Sequence, residues 1–177
     1  TELNSGFPRD KETLYEYEAI ILGDIEDSFF NADQLQMIED FVAERGGGFL
    51  MSGMVDVEFI STPIADILPV TLVEESFLPP HLRGGIRRGE HPTGELYFPR
   101  LTNNGEFSPL LRLSTDDSEN LNLWRQFPEL QGIYVTGRIK SGATVLLEHP
   151  LLQYQNQALP IIASQRYGSG RSISINT

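Results

Sequence analysis

The chain has no cysteine among its 177 residues. That excludes disulfides, thiolate metal sites and a cysteine nucleophile together, and it leaves the redox compartment open. Long hydrophobic runs are missing too. None approaches the roughly 18 residues that a membrane span needs, so direct membrane insertion by this segment is not expected. The N-terminus lacks the basic-then-apolar pattern of a signal peptide. Basic charge is scarce: 13 Lys and Arg stand against 25 Asp and Glu, a formal net charge of -12. Such a field repels a phosphate backbone, and nucleic acid is therefore not an expected partner. There is no internal repeat and no low-complexity tract. What is present is an ordinary globular composition, 40% hydrophobic and 21% charged, in a length that suits one domain.

The first ordered signal is "AIILGD" at 19–24, a continuous apolar run of the kind found in strands buried on both faces. Asn31 then offers an N-cap, and Gln34 three residues on completes a capping-box spacing. Leu35, Ile38, Phe41 and Val42 recur on one helical face, and Arg45 with Gly46 supplies a basic last turn and a C-terminal glycine. "FLMSG" reads as a second buried strand, so the stretch forms a parallel βαβ unit.

The middle of the chain is less regular. Pro63, Ile64, Ile67 and Leu68 predict a short helix ended by Pro69. Residues 76–108 read as a long irregular insertion with a strand at "ELYFPRL". It holds the local basic reversal, Arg83, Arg87 and Arg88, in an exposed Gly- and Pro-rich loop. Beyond it, Asp116 or Ser118 would cap a helix carrying Leu121 and Trp124. Strands are predicted at "GIYVTGRI", "ATVLLEH", "LPIIASQRY" and "RSISIN", the last two joined by a hairpin at Gly168-Ser169-Gly170.

The runs "FPRDKETLYEYEAIILGDI", "LQMIEDFVAERGGGFLMSGM" and "TPIADILPVTL" resemble the glutamine-amidotransferase-like domain of large bacterial membrane-anchored proteins, where it often accompanies von Willebrand type A modules. "LLRLSTDDSENLNLWRQFPEL", "KSGATVLLEHP" and "LPIIASQRYGSGRSISINT" continue the likeness across nearly the whole chain. The resemblance implies a class I amidotransferase-like α/β fold: a flavodoxin-like three-layer sandwich with a mainly parallel sheet. It also implies an excised piece of a longer protein in the cell envelope, with other domains or subunits of that assembly as partners.

Class I amidotransferases use a cysteine on the turn after a strand like "FLMSG", activated by a histidine. With no cysteine here, standard glutaminase chemistry is excluded. Ser52 is the weak substitute. A nucleophile elbow needs small residues two before and two after, and Leu50 and Met54 are large. Asp24, Ser52, Gly53 and Met54 are expected to share the rim outside the strands' carboxyl ends, where open α/β sheets bind ligands. There Asp24 either lines a polar cleft or makes a local turn bond after Gly23. His81 and His91, ten apart in the irregular loop, are weak metal candidates without a recognised ligand spacing, and no cofactor is expected. His149, before Pro150 at a predicted strand end, has no acid partner that the sequence names. "YGSGR" precedes a strand rather than a helix, which excludes a phosphate loop. The expectation is a non-catalytic pseudoenzyme domain for binding or assembly, with a Ser52 hydrolase and a small-molecule module at the rim as rivals.

Overall fold

The computed structural model describes residues 6–23, 27–53, 57–83 and 96–177. Its N-terminal part is a βαβ unit, as the sequence predicts. Helix α1 (Lys11–Leu14) opens with the Asp10 carboxylate accepting from the Thr13 amide. It docks on α2 (Ala32–Ala43), where Lys11 Nζ meets Asp40 at 2.6 Å. Between them runs β1 (Ala19–Gly23). The capping box at the start of α2 is complete: Gln34 N donates to Asn31 Oδ1 at 2.9 Å, and Asn31 N donates to Gln34 Oε1 at 3.1 Å. Leu35, Ile38, Phe41 and Val42 are buried as their spacing requires, and Met37 joins them. Each such side chain contributes about 1.5–3 kcal/mol through burial. β2 (Gly48–Ser52) then returns parallel to β1, with Ile20 level with Phe49 and Leu22 with Met51.

Helix α3 (Pro63–Ile67) lies on the same side of the sheet, with Ile64 and Ile67 buried. Short elements follow: β3 (Leu96–Tyr97), β4 (Arg100–Leu101), α4 (Asn103–Glu106) and α5 (Asp117–Arg125), the last capped by Asp116. The strand expected at "ELYFPRL" is thus two dipeptide strands, and β3 pairs with β5 (Leu130–Gln131) in a small separate sheet. The chain closes with β6 (Thr144–Tyr154), β7 (Gln157–Tyr167) and β8 (Gly170–Ile175).

The main sheet has the order β1-β2-β8-β7-β6-β4. It is mixed, which corrects the expectation of a mainly parallel sheet: β1–β2 and β2–β8 are parallel, while β8–β7, β7–β6 and β6–β4 are antiparallel. The reason is the connections. Gln155-Asn156 and Gly168-Ser169 are two-residue links, which join only antiparallel neighbours. Gln155 and Asn156 both take positive φ, 51° and 63°, as a type I′ hairpin turn demands.

"GIYVTGRI" is not a strand, although its apolar pattern predicts one. Its amides go elsewhere: Tyr134 N to Asn176 O at 2.8 Å, Gly137 N to Thr71 O at 2.7 Å, and Arg138 N to Thr71 Oγ1 at 2.7 Å. Only the isolated bridge Val70–Ile139 has strand geometry.

Two apolar clusters hold the fold. One joins α2, α3 and the parallel strands; the other gathers Leu78, Leu82, Tyr97, Leu111 and Ile133 on β6 and β7. The second face of the parallel strands is different. Every buried position of β1 and β2 (Ile20, Leu22, Phe49, Met51) points to the helix side, and none points to the other. Among the described residues the three-layer arrangement is therefore two-layered at this end of the sheet.

Candidate functional site

Three parallel strands end level with one another. The register places Gly23 beside Ser52 and Ser52 beside Ile175, so the rim where such sheets bind ligands comprises the ends of β1, β2 and β8. The sequence predicts the first two. The third is the addition, because β8 reads from sequence only as the return strand of a hairpin.

Ser52 is the last residue of β2 and remains in extended pairing on both sides. A nucleophile elbow strains the nucleophile itself, yet here the positive φ, 86°, falls on Gly53. Gly53 N donates to Ile175 O at 3.0 Å, which closes the turn. The turn conformation therefore sits on a residue with no side chain. No histidine hydrogen-bonds to Ser52 among the described residues. Asp24 and Met54, the other expected rim residues, lie outside the described residues.

Beyond β8 the rim is closed by Asn176, which is buried. Its side-chain amide donates to Pro160 O at 2.8 Å, its backbone amide to Ile161 O at 2.8 Å, and its carbonyl accepts from Tyr134 N. Thr177 Oγ1 donates to Gly132 O at 2.9 Å. These groups tie the strand end to its neighbours. The described strand-end residues, Gly23, Ser52, Gly53, Ile175, Asn176 and Thr177, carry no titratable side chain. The row shows hydroxyl and amide groups but no acid–base pair.

The histidines lie apart from this rim. His149 is within β6, which runs on through Pro150 to Tyr154, and so it is not at a strand end. It is buried against the Tyr97 ring with centroids 4.1 Å apart. Its Nδ1 accepts from the amides of Leu152 at 2.9 Å and Leu151 at 3.1 Å, where the strand departs from regular pairing. Burial lowers its pKa from the ordinary value. His81 is exposed in a short 3-10 turn, and His91 lies outside the described residues. No cluster of three or more metal-ligating side chains occurs among the described residues. Trp124 packs partly buried against the second cluster, its Nε1 donating to Leu111 O at 2.8 Å, as a core residue would.

The second face of the parallel strands presents a different surface. Ile21, Leu50 and Ile173 stand level across β1, β2 and β8. Ile21 is 72% exposed, and Leu50 and Ile173 are half-buried. A groove of about 470 Å³ continues from Ile173 past Ser164 and Thr144 to Leu110, itself 56% exposed. No composition statistic signals this surface. The only clue in the sequence is that "AIIL" is apolar at every position when one-sided burial needs it only at alternate ones.

No family model and no curated protein matches the chain. Solved structures do. A cytoplasmic protein of Salmonella typhimurium matches with a TM-score of 0.67 and 18% identity, over 97% of this chain and 65% of that one. A second cytoplasmic protein, from Salmonella typhimurium LT2, matches with a TM-score of 0.65 and 21% identity, over 97% and 64%. Gan42B, a GH42 β-galactosidase from G. stearothermophilus, matches with a TM-score of 0.51 and 16% identity, over 94% of this chain and 20% of the enzyme. At such identities the likeness is one of fold. The chain spans slightly under two thirds of the length of the two Salmonella proteins. The cell-envelope placement expected from the resemblance is corrected by these matches: both Salmonella proteins are named cytoplasmic, and among the described residues no helix is long and apolar enough to cross a membrane.

Proposed function

We propose that this chain is a non-catalytic amidotransferase-like domain that serves binding or assembly within a larger protein. The observation that carries the reading is the apolar row Ile21–Leu50–Ile173 on the face of the parallel strands opposite the helices, a face that among the described residues no helix covers. Strands apolar on both faces are ordinarily buried on both. In this reading the fold is a flavodoxin-like sandwich whose third layer is contributed by other parts of the parent protein, and the domain's partners are those parts. The extended conformation of Ser52, with the positive φ on Gly53, supports the loss of chemistry at the strand end.

The test compares Ile173→Lys in residues 1–177 alone and in the complete gene product. In the isolated chain the lysine reaches solvent from a half-buried surface site, and the expected change is within about 0.5 kcal/mol. In the complete protein it would bury an unpaired charge, at a cost of about 2 kcal/mol or more. Equal effects in both would contradict the reading.

A further inference from the structure

The outer edge of β1 is one of the two edges of the main sheet. β1 ends the strand order, and among the described residues no strand pairs with its far side. Natural sheets guard such edges with charges, prolines or bulges, because a free ladder recruits other strands. The five residues Ala19–Gly23 contain none of these: they read AIILG and pair with β2 in unbroken register. Alongside the edge lies an apolar cavity of about 270 Å³, lined by Phe7, Leu14, Tyr17, Ile21, Phe29 and Phe30. Phe29 is 56% exposed there, and its ring sits edge-on to Phe30 at 5.0 Å. The chain entering β1 carries Glu16 and Glu18, both exposed. Glu18 forms an ion pair with Arg45 at 3.3 Å, and its side chain is largely exposed.

We propose that the free edge of β1 receives an extended segment of a partner chain as a seventh strand of the main sheet. The segment is apolar over the length of Ala19–Gly23 and basic at the end that lies beside Glu16 and Glu18. One large apolar side chain of the segment fills the cavity between Phe7, Tyr17 and Phe29. Main-chain hydrogen bonds supply the affinity of such strand addition, and the side-chain pocket and end charges supply the selectivity. A second copy of this chain fits less well, because it would bring its own acidic flank to a protein that already carries -12. The inference deepens the binding role proposed above and rests on it.

The experiment titrates residues 1–177 into labelled heptapeptides and follows fluorescence anisotropy. The lead peptide is Lys-Lys-Val-Ile-Phe-Val-Thr, with its sequence-reversed form to report strand direction. The first control replaces both lysines by glutamates. The second pair carries backbone N-methyl groups on alternate residues, in each of the two phases. Saturable binding is expected, weakened at least about tenfold by the glutamates and in proportion to salt. One N-methyl phase should abolish it and the other leave it nearly unchanged, since only alternate amides face the ladder. Ile21→Lys, at an exposed position that leaves the core intact, should also abolish it, with circular dichroism confirming the fold. Absent binding, equal tolerance of both N-methyl phases, or indifference to Ile21→Lys would each overturn the proposal. So would self-association of the chain that Ile21→Lys removes, because the occupant would then be a second copy. Ile21 also belongs to the apolar row, so the N-methyl pair is the arm that reads the edge alone. The Ile173→Lys comparison reads the assembly role separately, from a strand that does not touch this edge.

Discussion

Gly47 meets the fully buried ring of Phe41 so closely that a Cβ placed on it would overlap the ring carbons. The middle glycine of the three after α2 is thus required by packing, while Gly46 is required by its positive φ of 86°. Gly47→Ala should cost about 1–3 kcal/mol, the usual price of overpacking a filled core, read as a lower urea midpoint with unchanged slope. At the next strand end, the positive φ belongs to Gly53 and the extended pairing to Ser52. Gly53→Ala should therefore destabilise by about 1–2 kcal/mol, whereas Ser52→Ala should change stability by no more than about 0.5 kcal/mol. The reverse order would place the strain on the serine and revive the nucleophile reading. His149 gives a pH signature. Its Nδ1 accepts two amide hydrogens and must be unprotonated, and burial holds its pKa below the ordinary 6.5. As pH falls, the unfolded chain takes the proton first. The contribution of neutral His149 is complete above about pH 6.5 and is lost as pH falls from there to the depressed folded value. Urea midpoints across that window should fall more steeply for the natural chain than for His149→Gln. Parallel curves would show that the ring carries no such linkage.

Helix α3 shows how an element is held by residues far away in sequence. Its last carbonyls are all claimed: Ala65 O and Asp66 O by Lys140 Nζ at 2.5 and 2.9 Å, and Ile67 O and Leu68 O by Gln165 Nε2 at 2.6 and 2.9 Å. Ser172 Oγ adds a further bond to Ile67 O at 2.5 Å. A helix of five residues has little stability of its own, so these bonds pin it to β7 and β8. Gln165→Leu should cost about 1–3 kcal/mol, because it strands the Leu68 carbonyl and leaves Ile67 O with Ser172 Oγ alone, and hydrogen exchange should rise at Ile67 and Leu68. A loss confined to the β7–β8 hairpin would contradict this. Local features were the legible ones in the sequence. The Asn31–Gln34 box, the face of α2 and the Gly168-Ser169 turn depend on neighbours in the chain. The run 133–139 was not legible, because its alternating apolar residues look like a strand while its amides bond to Thr71 and Asn176. Nor does any local pattern in "RSISIN" say that β8 lies parallel to β2, although that placement brings Ile175 to the strand-end rim. The Gln155-Asn156 turn is not legible either, since neither residue is the glycine such turns favour.

At the scale of the whole molecule, the sheet is parallel at one end and antiparallel at the other, and the two ends differ in cover. The antiparallel end has its own apolar cluster with β3, β5 and α5 nearby. The parallel end has helices on one face and the Ile21–Leu50–Ile173 row on the other. The proposed contact suits an acidic chain whose apolar row no described element covers: its net charge of -12 discourages indiscriminate association, while the row supplies area to bury. The most direct measurement is side-chain footprinting by photochemical carbene labelling, carried out on residues 1–177 alone and on the complete gene product. The expected result is strong labelling of Ile21, Leu50 and Ile173 in the isolated chain and marked protection of all three in the complete protein, with exposed Phe107 labelled in both. Equal labelling of the row in the two samples would contradict a role in assembly within the larger protein.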